Sequence, residues 1–321
     1  MTEAQPPIVA VDIGGTHARF AIARSHAGGI ALGGIVTLQT RDFADFRSAW
    51  NQFSEIHGRM LPRRAAIAVA GPVDGETIRF TNNAWTIRAN TLAGDLGLEN
   101  ALVLNDLEAA AHAAMHCGEK HFQAIGPCGS TPTRCGITSV VGPGTGLGVA
   151  YIRREGSEWT VHPTEGGHAG FAPVDEFEEA LLRRLRNRFH RVSIERVASG
   201  PAIVDLYNAL ADTEGRPPTE ADDRTIWRRA LVDEEPHSLA AVERFCQALG
   251  SVVGDIALTH GADSVVIAGG LGLRLAAYLP ASGFLDRFRA KGRFADHMVR
   301  IPLRLLIHPQ PGLLGAAAAG A

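Results

Sequence analysis

The sequence predicts an α/β protein in which one α/β design is used twice, giving two lobes with a cleft between them. Three observations predict it. Two glycine-rich turns, Asp12-Ile13-Gly14-Gly15-Thr16 and Gly142-Pro143-Gly144-Thr145-Gly146-Leu147-Gly148, each sit between two apolar, strand-like runs. Further strands end in polar residues and lead into helices, the arrangement in which open sheets collect ligands at the carboxyl ends of their strands. The two halves are weakly similar to each other, and no short repeat that would indicate a solenoid is present. At 321 residues, 45% apolar and 20% charged, the chain can build two domains with real cores.

In chain order, apolar runs at 8–11 and 20–23 flank the first turn and read as a hairpin. Phe43, Phe46, Trp50 and Phe53 follow at helical spacing, a stripe that belongs to a core. Strands at 65–70, 78–81 and 101–104 come next, the first ending in Gly71-Pro72-Val73-Asp74-Gly75 and the last in Asn105-Asp106, with a helix from 107 to about 116. The second half restarts with strands at 138–141 and 149–152 and then turns helical over 175–189, 201–211, 225–231 and 238–260. The Pro- and acid-rich stretch 213–224 reads as a surface loop. A buried strand at 264–268 meets Gly269-Gly270, and a strand at 303–307 precedes Pro311-Gly312 and a final Ala-rich helix whose small side chains allow close packing.

Composition excludes several classes of function. A net charge of −3 argues against a nucleic-acid or anionic-membrane partner, which demands a concentrated excess of Lys and Arg. Cys117, Cys128, Cys135 and Cys246 form no CxxC pair and no disulfide framework, so they read as reduced thiols. The first seven residues lack the basic and apolar regions of a signal peptide, and no apolar run approaches the ~20 residues a membrane span needs. The expected location is the cytoplasm.

The glycine turns carry the chemistry. A phosphate needs backbone N–H groups aimed at it by a chain that can come close, which glycine permits because it lacks a Cβ and tolerates φ > 0. Thr16 and Thr145 can add hydroxyl donors. Neither turn has the spacing of a dinucleotide fingerprint or the Gly-Lys-Ser/Thr of a P-loop. Asp12, at a strand end, has two readings: an Asx-turn with the following glycines, or a water-mediated contact to a nucleotide's Mg²⁺. Asn105 and Glu108 have the spacing of a capping box, and Asp106 beside them is a carboxylate able to accept a hydroxyl proton during phosphoryl transfer; the two roles are compatible. His162, Glu165 and His168 hint at a metal site, but the pair Gly166-Gly167 breaks the helix that would align ligands three residues apart. Bidentate hydrogen bonding to sugar hydroxyls suits Glu165 and His168 better, and Glu195 is either a third such group or a solvated partner of Arg196.

These motifs, in this order, resemble those of the bacterial glucokinases, within the superfamily of hexokinase, actin and the heat-shock-chaperone ATPases. The resemblance runs from Asp12-Ile13-Gly14-Gly15-Thr16 through Ala70-Gly71-Pro72-Val73, Thr81-Asn82, Asn105-Asp106, Glu165-Gly166-Gly167-His168, Glu195-Arg196, Ser199-Gly200-Pro201 and Gly269-Gly270 to Pro311-Gly312-Leu313-Leu314-Gly315. It implies an actin-like (ribonuclease H-like) fold, with a small lobe of residues 1–115 and 308–321 and a larger helix-rich lobe of 116–307. It implies phosphorylation of D-glucose by ATP with Mg²⁺, Asp106 as catalytic base, and glucose held by Asn82, Asn105, Glu165, His168 and Glu195. Gly14, Gly15, Thr16, Gly144, Thr145 and Gly146 would line the phosphates, Gly269 and Gly270 the adenosine, and a homodimer would be the working form. His17 stands where the family usually has Asn, and the zinc-binding cysteine cluster of the related ROK kinases does not follow His168. The alternatives are a ROK-type or other hexose or amino-sugar kinase, a sugar-responsive regulator, for which the short leader leaves no helix-turn-helix, and an activator ATPase.

Overall fold

Alternation of apolar residues over β1 (Ile8–Ile13) buries Val9, Val11 and Ile13 on one face and Ile8 and Ala10 on the other, which fixes this strand at the centre of a sheet covered on both sides. The computed structural model describes residues 6–26, 29–58, 60–71, 73, 75–80, 85–127 and 135–321. Asn82, the flanking residues of its motif, Pro72, Asp74 and Cys128 lie outside them. After β1 come β2 (His17–His26), β3 (Gly29–Gln39), α1 (Phe46–Ile56), β4 (Arg64–Val69), β5 (Thr77–Arg79), β6 (Thr86–Arg88), α2 (Leu92–Leu96), β7 (Asn100–Asn105) and α3 (Asp106–His116). The chain continues through β8 (Phe122–Ala124), β9 (Cys135–Pro143), β10 (Leu147–Glu155), β11 (Glu158–Thr164), α4 (Glu176–Arg186), α5 (Glu195–Ala198), α6 (Ala202–Thr213), α7 (Asp223–Leu231) and α8 (Pro236–His260). It ends with β12 (Ser264–Ile267), α9 (Gly270–Arg274), α10 (Phe284–Arg289), α11 (Ala295–Val299), β13 (Leu303–Leu306) and α12 (Pro311–Gly320).

Two compact units result, one holding the chain up to His121 together with His308–Ala321, the other Phe122–Ile307. The first is a sheet in the order β3-β2-β1-β4-β7. Its first two pairings are antiparallel and its last two parallel. One face carries the expected aromatic core: Phe20 stacks on Phe53 and Phe46, and Trp50 meets it edge-on. Burying each such ring is worth roughly 1.5–3 kcal/mol. The opposite face is floored by Ala10, Ala21, Ala66 and Ala68, and their small side chains let α12 press against the strands and α3. A Cβ on Gly315 would lie 1.7 Å from the Ala109 carbonyl oxygen, so glycine is what permits this approach.

The second unit repeats the plan. Its sheet runs β11-β10-β9-β12-β13-β8, again antiparallel, antiparallel, parallel, parallel over the first five strands. The duplication expected from the two glycine turns is therefore a duplication of topology. Helix α8 is mostly buried, from His237 to Ala257, because its apolar residues recur around nearly the whole circumference. Glu235 caps its start, accepting from the N–H groups of His237 and Ser238, and Gly261 at φ 63° ends it in the left-handed conformation.

Two local expectations need correction. The Asn105–Glu108 capping box does not form in full: Asn105 Oδ1 accepts from Leu107 N–H at 2.8 Å instead of the N–H three residues on, while Glu108 does receive the Asn105 backbone N–H. The Asn105 amide is steered there by a second bond, from its Nδ2 to the Gly71 carbonyl at 2.8 Å. The segment between the first hairpin and the aromatic stripe is also more regular than its mixed composition indicates, since residues 29–39 form the edge strand β3. Cys117 and Cys246 are free thiols, and burial pushes them up to about 11 and about 12.

Candidate active site

In the first unit the carboxyl ends of β1, β4 and β7 stand side by side, with Ile13 opposite Val69 and Val69 opposite Asn105. The turn after β1 is closed by Gly14 N–H donating to His17 C=O at 2.9 Å. Its carbonyls are pulled back by one residue: Thr40 donates its hydroxyl to Gly15 C=O at 2.9 Å and its N–H to Thr16 C=O at 3.0 Å. Among the described residues the N–H groups of Gly15 and Thr16 then donate to nothing in the chain.

Asp12 does not make the Asx-turn. It is still inside the β1–β2 ladder, directly opposite Arg19, and the two side chains meet at 3.2 Å. A cross-strand guanidinium is a stronger partner for a carboxylate than a turn N–H. A Cβ on Gly312, in the first turn of α12, would lie 2.5 Å from the Asp12 carboxyl carbon, so a larger residue there would displace this group. Burial raises the Asp12 carboxyl above its ordinary value, with Arg19 opposing.

Asp106 is the first residue of α3, positioned by the Asn105 cap and by the Asn105–Gly71 bond. Its side chain reaches solvent while protein crowds around its other sides. That crowding, and then the repulsion of Asp12, push the carboxyl up to about 6, against the N–H groups of Leu107 and of Asp106 itself. A carboxylate poised there is suited to taking a proton near neutral pH. Asn105 has both ends of its amide engaged, leaving one N–H and one lone pair for a ligand.

The second unit builds its turn in the same way. Gly144 N–H closes it on Gly146 C=O at 2.9 Å, and the Gly144 carbonyl is taken by Gly200 N–H at 2.7 Å. Among the described residues the N–H groups of Thr145 and Gly146 find no acceptor. None of Gly14, Gly15, Gly144 and Gly146 has a positive φ, so these glycines supply room and not handedness. A Cβ on Gly146 would stand 2.6 Å from Glu195 Oε2, the atom that accepts from Leu147 N–H at 3.1 Å. Glu195 is thus half-buried against the turn rather than solvated beside Arg196.

Gly166–His168 form a single 3₁₀ turn after β11. The glycine pair, expected to break the helix that would align side chains three residues apart, sits instead in this 3₁₀ turn, which brings His168 Nε2 within 3.7 Å of Glu165 Oε2, both side chains exposed. Glycine is required because a Cβ on Gly167 would lie 2.0 Å from the Leu147 carbonyl oxygen, which seats this turn directly on the phosphate-type turn. His162 is turned elsewhere, stacked on Tyr151 at 4.7 Å and bonded to Thr160. Gly269, at φ 87°, brings the start of α9 to 3.3 Å from the Pro143 carbonyl, measured from the Cβ it lacks. The second unit therefore gathers 144–146, Glu165, His168, Glu195 and Gly269, and the first gathers Asp12, 14–16, Asn105 and Asp106. Sequence reasoning missed the supports Thr40, Arg19 and Gly312, and gave Gly200 no role. Only Arg19 left a signal, seven residues from Asp12 across a short turn.

The family model described as Glucokinase matches residues 9–321 of the chain. The glucokinase of Zymomonas mobilis is 50% identical over 97% of this chain and 97% of its own. A crystal structure of glucokinase from an Antarctic psychrotroph superposes with a TM-score of 0.87 at 32% identity, covering 98% of this chain and 99% of that one. The glucokinase of Balamuthia mandrillaris, crystallised in complex with glucose, shares the fold at a TM-score of 0.76 and 22% identity, covering 98% of this chain and 93% of that one.

Proposed function

The chain belongs to the glucokinase family and phosphorylates glucose, and we propose that ATP, escorted by Mg²⁺, is its donor and the sugar 6-hydroxyl its acceptor. The observation that carries this reading is the pair of matched turns. In each, the leading glycine closes the turn on itself and the next two N–H groups, of Gly15 and Thr16 or of Thr145 and Gly146, are left without an acceptor among the described residues. Free N–H groups in a glycine turn suit phosphate oxygens, and with carbonyls of each turn held by Thr40 or Gly200 these donors stay available to a ligand. Asp12, tied to Arg19 and under Gly312, would hold a water of the Mg²⁺ shell, and Gly269 and Gly270 would accept the adenosine end. When bound, Mg²⁺ supplies charge that neutralises the triphosphate.

Glu165, His168, Glu195 and Asn105 orient the sugar, and Asp106 acts on it. Its carboxylate takes the proton of the 6-hydroxyl as the sugar oxygen bonds to the terminal phosphorus. The bond from that phosphorus to the bridging oxygen breaks, its electron pair leaves with ADP, and glucose 6-phosphate forms. Such catalysis is mostly positioning and charge stabilisation, which is why the supports of Asp106 matter as much as its carboxyl. The reading places the enzyme in the cytoplasm as a homodimer, testable by sedimentation velocity; among the described residues no helix is long and apolar enough to cross a membrane. A coupled assay of ATP consumption with and without glucose is the test. Glucose-dependent turnover supports the kinase; turnover indifferent to sugar indicates an activator ATPase, and none a regulator, and either would overturn the reading.

A further inference from the structure

The second unit carries a partly open pocket of about 150 Å³ that none of the chemistry above uses. Gly166, two residues before His168, Ala169, which follows it, and Ile194, which precedes Glu195, form one side of it. The C-terminal half of α8 forms the other, with Val252 and Ile256 presenting apolar surface towards Val149 of β10. Space of this size admits a molecule of about one ring. Its walls are mostly but not wholly apolar. Ser251 lines it and is 7% exposed; its carbonyl accepts from Lys291 at 2.8 Å, but its hydroxyl has no partner among the described residues. That Oγ faces the pocket, where water can pair it and a ligand hydroxyl can take the water's place.

The remaining polar groups at the cavity are already compensated. Asp255 Oδ1 is paired with Lys291 Nζ at 2.7 Å, the Thr259 hydroxyl donates to the Asp255 carbonyl at 2.8 Å, and His260 Nδ1 is bonded to Ser139 Oγ at 2.8 Å. Among the described residues no unpaired charge lines the space. We propose that this cavity is an effector site for a small uncharged molecule, one ring or an equivalent branched chain bearing a single hydroxyl, with the hydroxyl on Ser251 and the apolar body against Val252, Ile256 and Val149. Filling it fixes the backbone within and just after the Glu165–His168 turn, so occupation changes glucose affinity. That coupling rests on the reading of Glu165 and His168 as sugar ligands; the binding itself does not.

The test is calorimetry on the full chain with benzyl alcohol, toluene and benzoate as probes. Benzyl alcohol should bind roughly fivefold more tightly than toluene, the worth of one hydrogen bond, and benzoate should give no heat. Ser251→Ala, which keeps the shape, should abolish the difference between alcohol and toluene. Val252→Phe should abolish binding of both and leave glucose turnover without probe unchanged. Glucose should shift the benzyl alcohol affinity by the same factor as the alcohol shifts that of glucose, as linkage requires. Absence of binding, or binding that survives Val252→Phe in a protein whose melting is unchanged, would overturn the site. Binding that leaves glucose affinity unmoved would overturn the effector role. If Glu165→Gln leaves glucose affinity intact, the sugar-ligand reading fails, and the probe heats still decide the cavity.

Discussion

If Asp106 is the base, its ionisation should set the acid limb of the rate profile, and Asp12 should set where that limb falls. The Asp106 carboxyl is pushed up to about 6, chiefly by the protein crowded round it and then by the negative charge of Asp12. Only the carboxylate can accept the hydroxyl proton. Below pH 6, each unit should therefore cost about tenfold in kcat/KM, with about one-eleventh of the enzyme competent at pH 5 and about one-hundredth at pH 4. A carboxyl at the ordinary value would still be more than about nine-tenths ionised at pH 5, so the two cases are well separated. The donor's terminal phosphate also titrates in this range, which is why the decisive measurement is a comparison. The profile of kcat/KM for glucose is recorded for the native enzyme and for Asp12→Asn at the same saturating nucleotide. Donor titration is common to both, whereas removing the Asp12 charge lowers the Asp106 carboxyl alone. The limb should move to lower pH in the variant, whatever the loss in absolute rate. Coincident limbs, or a native limb near pH 4, would refute the assignment of Asp106 or the repulsion that tunes it.

Asp106→Asn should lower kcat by ~10²–10⁴, the worth of a positioned base, with nucleotide binding by calorimetry retained. The same variant should melt higher than the native protein at pH 8 but not at pH 3.5: the folded carboxyl holds its proton more tightly than the unfolded one at 3.8, so its favourable contribution is complete below 3.8 and lost as pH rises through about 6. Glu165→Gln should weaken glucose binding by about 1–3 kcal/mol through loss of a charged acceptor, read as Kd by calorimetry. Gly315→Ala exchanges a helix-propensity gain of about 0.5–1 kcal/mol for a Cβ placed 1.7 Å from the Ala109 carbonyl oxygen. A backbone oxygen cannot swing aside as a side chain can, so the overpacking cost of about 1–3 kcal/mol or more wins, and the urea midpoint should fall.

The hairpins, the long helix α8 and the aromatic core were legible because each is specified locally, by period-2 or period-3.6 patterns and by turn residues. Strand β3 was not, for a physical reason: as the sheet edge it is mostly exposed or half-buried, so its burial alternates only weakly, and Gly29, Gly33 and Gly34 dilute what pattern remains. At the site, residue identities could be read but their couplings could not. Asn105 looked like a cap bonded to its own helix, and its other bond goes to Gly71, which is 34 residues away. Asp12 looked like a turn residue, and its partner was set by strand register.

The same distinction bears on the glycine turns themselves. Glycine made both visible in the sequence, but glycine alone does not say which N–H groups are available to a ligand. That is decided by what the carbonyls of each turn bind, and the answer is supplied from elsewhere in each unit: by Thr40, past the end of β3, and by Gly200, at the head of α6. A turn whose carbonyls are held from behind keeps its donors oriented before any phosphate arrives, so little reorganisation is needed on binding. On the proposed reading Thr40 and Gly200 touch no substrate, yet they would make two ordinary-looking hairpin turns into anion cradles. Removing the Thr40 hydroxyl should accordingly loosen nucleotide binding while sparing glucose binding, which separates a prepared cradle from a merely permissive loop.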